Sequence, residues 1–182
     1  MSDIATRHDP RLRGLYAITD QHLIPDEQFT DRVAAALHGG ARILQYRDKS
    51  ADDEKRLLQA RQCRQLCTRY DALLIINDDI ALAEASDADG VHLGRHDDSL
   101  TQARTALGSD AIIGVSCYDD IERAIDAQSQ GASYVAFGAM FSSSTKPEAI
   151  IAGPGIIPSA KQHIDIPVCT IGGIDTGNVA RV

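Results

Sequence analysis

Two short apolar runs decide the fold class: Ala72-Leu73-Leu74-Ile75-Ile76-Asn77-Asp78 and Asp89-Gly90-Val91-His92-Leu93. Both are nearly uninterrupted in apolar character, as strands buried on both faces are. Between them, Ile80 to Ser86 has the length and spacing of a brief helix. A strand, a helix and a second buried strand make a parallel pair joined by a right-handed crossover.

The same alternation continues in both directions. Toward the N-terminus lie strands over Gly14 to Asp20 and Ala41 to Arg47, with helices over Phe29 to Leu37 and Ala51 to Tyr70. Toward the C-terminus lie a helix over Ser99 to Leu107, a strand over Ala111 to Ser116 and a helix over Asp119 to Gln130. A strand over Ser133 to Phe137, a helix containing Pro158 to His163 and a strand over Pro167 to Ile171 follow. Gly40-Ala41 and Gly131-Ala132 stand where a helix must stop and the chain re-enter the sheet.

Such a chain forms either an open doubly wound sheet or a (β/α)8 TIM barrel. Polar residues favour the barrel, because they close nearly every strand: Thr19-Asp20, Gln45 to Lys49, Asn77-Asp78, His92 to Asp97, Ser116 and Gly172-Gly173. A ring of loops around one mouth needs that distribution, whereas an open sheet gathers its ligand at one switch point. No Gly-x-Gly-x-x-Gly follows the first strand, which weakens a dinucleotide site further. The expected organisation is a polar extension over residues 1–13 and a single barrel domain over 14–182. The eighth strand and helix are expected to be absent from this chain, and Asp175 to Val182 read as the beginning of a helix.

The 182 residues suffice for one domain, and 43% hydrophobic with 24% charged residues is the balance of a globular protein. A net charge of −8 argues against nucleic acid or an acidic membrane as partner. With 0 Trp, 5 Tyr and 3 Phe, stacking along a single strand is also disfavoured. No apolar run approaches the ~20 residues of a membrane span. Met1 to Arg13 lack the apolar centre of a secretory signal. The expected location is the cytoplasm. Four cysteines, Cys63, Cys67, Cys117 and Cys169, have no zinc spacing and read as buried free thiols.

Several strand ends carry chemistry. Gln45, Arg47 and Lys49 are two apart, so in an extended chain they point the same way. One neutral donor and two cations suit a pyrophosphate, with Arg forking onto paired oxygens and Lys adding a point charge. A solvated strand end with an Arg–Asp pair would read the same way. Asn77-Asp78-Asp79 could cap the helix from Ile80, or donate to phosphate through Asn77 and take a hard cation through Asp78. Magnesium would need a second carboxylate, and Asp97 is placed to give it. His92 reads as a packed core histidine rather than a ligand. Ser142-Ser143-Ser144-Thr145-Lys146 offers hydroxyls and a cation to phosphate, against the plainer reading of a surface loop. Gly172-Gly173 lets backbone amides approach a phosphate after strand seven.

Taken together, Gln45-x-Arg47-x-Lys49, Ile76-Asn77-Asp78, Asp89 to Gly94, Gly114-Val115-Ser116, Phe141 to Lys146 and Ile171 to Ile174 resemble thiamine-phosphate synthase (thiamine-phosphate pyrophosphorylase) in order and register from Gly14 onward. The resemblance implies a TIM-barrel transferase of thiamine biosynthesis. It would join 4-amino-2-methyl-5-hydroxymethylpyrimidine diphosphate to a thiazole phosphate, releasing pyrophosphate, with Mg2+. It implies that Gln45, Tyr46, Arg47, Asp48, Lys49, Asn77, Ser116 and Lys146 hold the pyrimidine diphosphate. Ser143, Ser144, Thr145 and Gly173 would hold the thiazole phosphate, and Asp78 and Asp97 the magnesium. Arg47, Lys49 and Lys146 would neutralise the leaving diphosphate. The partners are then small molecules, with a homo-oligomer left open.

Two positions depart from the family pattern, which usually has Pro at Ser142 and commonly Thr at Ser143. Without proline's fixed φ the loop should be less rigid. Two rival functions differ in testable ways. A thiazole tautomerase, a related barrel, carries a histidine where this chain has Tyr118, and lacks the Thr145-Lys146 pair. A non-catalytic phosphate-binding barrel would need no paired carboxylates.

Overall fold

The computed structural model describes residues 9–95, 99–142, 148 and 150–182. Its seven strands follow one another in sheet order exactly as in sequence, β1 to β7. The pairings from β1 through β4, and from β5 through β7, are parallel. The described chain forms two compact units, one of residues 9–93 with 99–113 and one of residues 94–95 with 114–182.

The N-terminal unit contains β1 (Leu15–Ile18), α1 (Phe29–His38), β2 (Ala41–Tyr46), α2 (Asp53–Tyr70), β3 (Leu73–Asn77), α3 (Ile80–Ala85), β4 (Gly90–Leu93) and α4 (Leu100–Leu107). The run read first from the sequence is its centre, since Leu73 to Ile76 are all buried. β3 is flanked on both edges, Ile43 to Tyr46 pairing on one side and Gly90 to His92 on the other, and the run does not alternate because both of its faces are buried. Helices cover the strands with Val33 and Leu37 from α1, Ala60, Cys63 and Cys67 from α2, and Leu82 and Ala83 from α3. Gly90 is required by close approach, because a Cβ there would stand 1.7 Å from the carbonyl oxygen of Ile112.

Side chains start these helices as their first turns require. Asp52 accepts from the Lys55 amide at α2, and Asp79 from the Leu82 amide at α3. At α4, Ser99 and Gln102 form a reciprocal box. Each cap satisfies an N–H that has no partner inside the helix.

The C-terminal unit contains most of β5 (Ile112–Tyr118), α5 (Ile121–Ser129), β6 (Tyr134–Phe137), α6 (Ile156–Ala160) and β7 (Val168–Thr170). Three details differ from the sequence reading. β5 runs on to Tyr118 because a register shift between Ser116 and Tyr118 accommodates an extra residue. α6 begins at Ile156, with Pro158 in the first turn where its missing N–H costs nothing, and it ends at Ala160, so the expected extension to His163 is turn instead. The segment from Asp175 opens as a turn rather than a helix. Its carboxylate accepts from the Gly177 and Asn178 amides, and only a 3-10 turn over Val179–Arg181 follows. Among the described residues, no helix is long and apolar enough to cross a membrane.

Candidate active site

In the N-terminal unit, β2 sorts its side chains by alternation. Tyr46 is buried on the helical side, with its ring edge-on to Phe29 and its hydroxyl donating to Gln59 Oε1 at 3.0 Å. Burial pushes its phenol pKa upward. Asp48 turns the same way and pairs with Lys55 Nζ at 3.0 Å, its side chain 2% exposed. Burial alone would raise the Asp48 pKa, but contacts from Ser50 and Lys55 outweigh it and hold the pKa below the usual value.

Gln45, Arg47 and Lys49 take the other side. Gln45 is buried and donates through Nε2 to the Tyr16 hydroxyl of β1 at 2.9 Å. Thr19 Oγ1 accepts from the Arg47 amide at 2.8 Å, and Asp20 lies 4.0 Å from the Arg47 guanidinium. Gln21 accepts from the Lys49 amide. The end of β1 thus holds the backbone of Arg47 and Lys49 while both cationic side chains remain partly exposed.

The end of β3 meets the same place. Lys49 Nζ lies 3.2 Å from Asp78 Oδ2, and Asn77 Nδ2 donates to that oxygen at 2.6 Å. Asp78 has φ 64, in the left-handed region that Asp tolerates better than most residues. Its amide donates to the His92 carbonyl of β4, and the Asp79 amide donates to the Asn77 carbonyl. Two cations, an amide and a carboxylate therefore gather at the C-terminal ends of β2 and β3. A polyanion accompanied by a hard cation is the ligand chemistry this set suits.

The C-terminal unit offers a second group. Ser116 is half-buried near the end of β5, and its carbonyl accepts from Arg123 Nε of α5 at 2.8 Å. The other arm of Arg123 donates to the Gly94 carbonyl at 3.0 Å. Gly173 follows β7 with φ 67, and a Cβ there would stand 2.5 Å from the Phe141 carbonyl oxygen. Gly173 is thus required both by its conformation and by close approach to the segment after β6.

A family model described as thiamine monophosphate synthase matches residues 15–182. The chain belongs to that family. Its members are enzymes, and two similar relatives carry the name thiamine-phosphate synthase. That of Nitrosococcus oceani is 49% identical over 94% of this chain and 79% of its own length. That of Thioalkalivibrio sulfidiphilus is 50% identical over 97% of this chain and 84% of its own. A solved thiamine phosphate pyrophosphorylase from Pyrococcus furiosus superposes with a TM-score of 0.84 at 35% identity, over 94% of this chain and 80% of that one. The seven-stranded parallel α/β architecture is accordingly that of a thiamine-phosphate synthase.

Of the residues expected from the sequence, Lys49, Asn77 and Asp78 come together in the N-terminal unit, while Gln45 and Arg47, on the same side of the β2 segment as Lys49, contact Tyr16 and Asp20. Tyr46 and Asp48 turn away from them toward α2. Ser116 and Gly173 lie in the C-terminal unit. Asp97, Ser143, Ser144, Thr145 and Lys146 lie outside the described residues. His92 is buried within β4, as a packed strand residue is. The sequence reading missed Tyr16, Thr19 and Gln21 as supports of the site, although Thr19 does stand at a strand end. Nothing local could have paired them with residues 28 or 29 positions away.

The donor set at the end of β3 fits magnesium. The ion takes one or two carboxylates and completes its shell with waters and substrate phosphate oxygens. Asp78 supplies a hard oxygen at a half-exposed position beside the cations that would share those phosphates. Among the described residues, no group of three or more His, Cys, Asp or Glu side chains could hold a metal by itself.

Proposed function

We propose that the protein condenses 4-amino-2-methyl-5-hydroxymethylpyrimidine diphosphate with a thiazole phosphate, giving thiamine phosphate and pyrophosphate in the presence of Mg2+. The observation that carries this reading is the meeting of Lys49, Asn77 and Asp78, with Nζ to Oδ2 at 3.2 Å, beside Arg47. The same reading makes residues 14–182 part of one (β/α)8 barrel working in the cytoplasm.

The chemistry asks for charge placement more than proton transfer. The bond between the exocyclic methylene and the diphosphate oxygen breaks, and its electron pair leaves with the diphosphate. The amino-substituted pyrimidine ring stabilises the methylene cation that remains. The thiazole nitrogen then gives its lone pair to that carbon, so no general base is needed. Arg47 can fork onto two diphosphate oxygens while Lys49 meets a third as a point charge. Asn77 donates an amide N–H to the same group, and Lys146 would add a further cation. Asp78 and Asp97 would hold Mg2+, which supplies positive charge to the leaving diphosphate. Gln45, which is buried and donates to the Tyr16 hydroxyl, would read a polar edge of the pyrimidine. Ser143, Ser144, Thr145 and Gly173 would take the thiazole phosphate, leaving the two substrates positioned for direct attack.

Incubation with both substrates and Mg2+, followed by detection of pyrophosphate and thiamine phosphate, tests the reading. Both products should form in equal amounts. Failure to form thiamine phosphate, or no release of pyrophosphate at all, would refute it.

A further inference from the structure

Two consecutive cations in the first turn of α2 reach two different strand-end loops of the N-terminal unit. Lys55 Nζ pairs with Asp48 Oδ2 at 3.0 Å, and Arg56 Nη2 donates to Asp79 Oδ2 at 2.5 Å. Asp48 lies between Arg47 and Lys49, and Asp79 directly follows Asn77-Asp78. We infer that Lys55 and Arg56 are positioning residues for the diphosphate and cation site, holding its two loops from behind through Asp48 and Asp79. The inference rests on the site assignment proposed above.

The bonding on each loop supports this role. Asp48 also accepts the Ser50 amide at 2.7 Å, so its carboxylate closes the turn that contains Lys49 while Lys55 fixes that turn to α2. On the other loop, Asp79 accepts the Leu82 amide at 2.8 Å and thereby caps α3. Its own amide donates to the Asn77 carbonyl at 2.8 Å, which brackets Asp78 in its left-handed conformation. Arg56 itself is steadied by Asp53, at 3.0 Å, one turn back along α2. One rigid helix of 18 residues therefore sets the separation of two loops whose tips meet at Lys49 and Asp78. A catalytic group held through such partners loses precision when they are removed, typically by about 10–100-fold in metal affinity or activity.

The inference predicts a loss of Mg2+-dependent pyrophosphate binding without loss of fold. The measurements are calorimetric titration of inorganic pyrophosphate with and without Mg2+, and thermal melting, on the wild type and three variants. Arg56→Met should weaken pyrophosphate binding in Mg2+ by about tenfold or more and narrow the difference that Mg2+ makes. Arg56→Lys should recover part of that loss. Asp79→Asn keeps the helix cap, since Asn caps as well as Asp, but removes the charge paired with Arg56, and should weaken binding similarly. It carries the test should Arg56→Met fail to fold. Affinity within twofold of wild type in the folded variants would overturn the inference, as would lower melting temperatures with unchanged affinity. A wild type that itself fails to bind pyrophosphate in Mg2+ would overturn the site assignment instead, and this inference with it.

Discussion

Lys49 Nζ stands 3.2 Å from Asp78 Oδ2, joining the ends of two neighbouring parallel strands through opposite charges. The pair is partly exposed, so its worth to folding is small. In the proposed reaction its value lies in offering a cation and a carboxylate side by side to the diphosphate and its Mg2+.

Asp78→Asn should separate these roles. Asn accepts the left-handed backbone that Asp78 adopts, so melting temperature should stay close to wild type. Turnover should fall by about tenfold or more, with a weaker response to Mg2+. Rates of pyrophosphate release across an Mg2+ series give the measurement, and an unchanged Mg2+ dependence would remove Asp78 from the site.

Asp48 and Lys55 predict a pH window for stability. The Asp48 pKa is held below its ordinary 3.8 in the folded protein, so its contribution is present above that pH and fades as pH falls through the folded value. The Lys55 pKa is raised above its ordinary 10.5, chiefly by its bond to Asp48, so its contribution is present below that pH and fades above. The stability difference between wild type and Asp48→Asn should therefore be flat between about pH 5 and 10 and shrink on both sides. Urea unfolding at a series of pH values reads it directly.

Asp89 is a structural carboxylate at the start of β4. It accepts the Leu74 amide at 2.8 Å and Arg64 Nη1 at 2.6 Å, with Arg11 Nη1 at 3.5 Å. Asp89→Ala should cost about 2–3 kcal/mol in urea unfolding, the scale of losing hydrogen bonds to a partly buried charged group. KM values of the folded fraction should not change.

The thiols should be inert in the folded state. Burial pushes the pKa of Cys67 and Cys117 to about 12 and that of Cys169 to about 11, and raises Cys63 as well. A chromogenic disulfide reagent at pH 8 should label none of the four quickly without denaturant and all of them with it. Rapid native labelling of any one would contradict this.

The strands were legible because burial on both faces leaves one signature, and Leu73 to Ile76 carry it plainly. The shared side of Gln45, Arg47 and Lys49 was legible for a related reason, since a period of two survives into the loop. What supports that set was not. Lys55 and Arg56 stand among Asp53, Glu54 and other charged residues of a polar helix turn, which reads as solvated surface. Only the fold shows that their partners are Asp48 and Asp79. Asp89 likewise read as the edge of a strand, because its partner Arg64 is 25 residues away. The turn at Asp175 was misread as helix because an Asp followed by polar residues starts either structure, and the carboxylate's own hydrogen bonds decide between them.

The alternation along Gln45 to Lys49 has one more consequence. Odd positions face the candidate site and even positions face the helix, so the segment carries two interleaved messages with a phase of one residue. Deleting or inserting a single residue upstream within β2 would swap the two, sending Arg47 and Lys49 toward α2 and Tyr46 and Asp48 toward the candidate site. Point substitutions here can be absorbed one side at a time. A shift of frame cannot, and variation in loop length is tolerable only beyond Ser50, where the phase no longer matters.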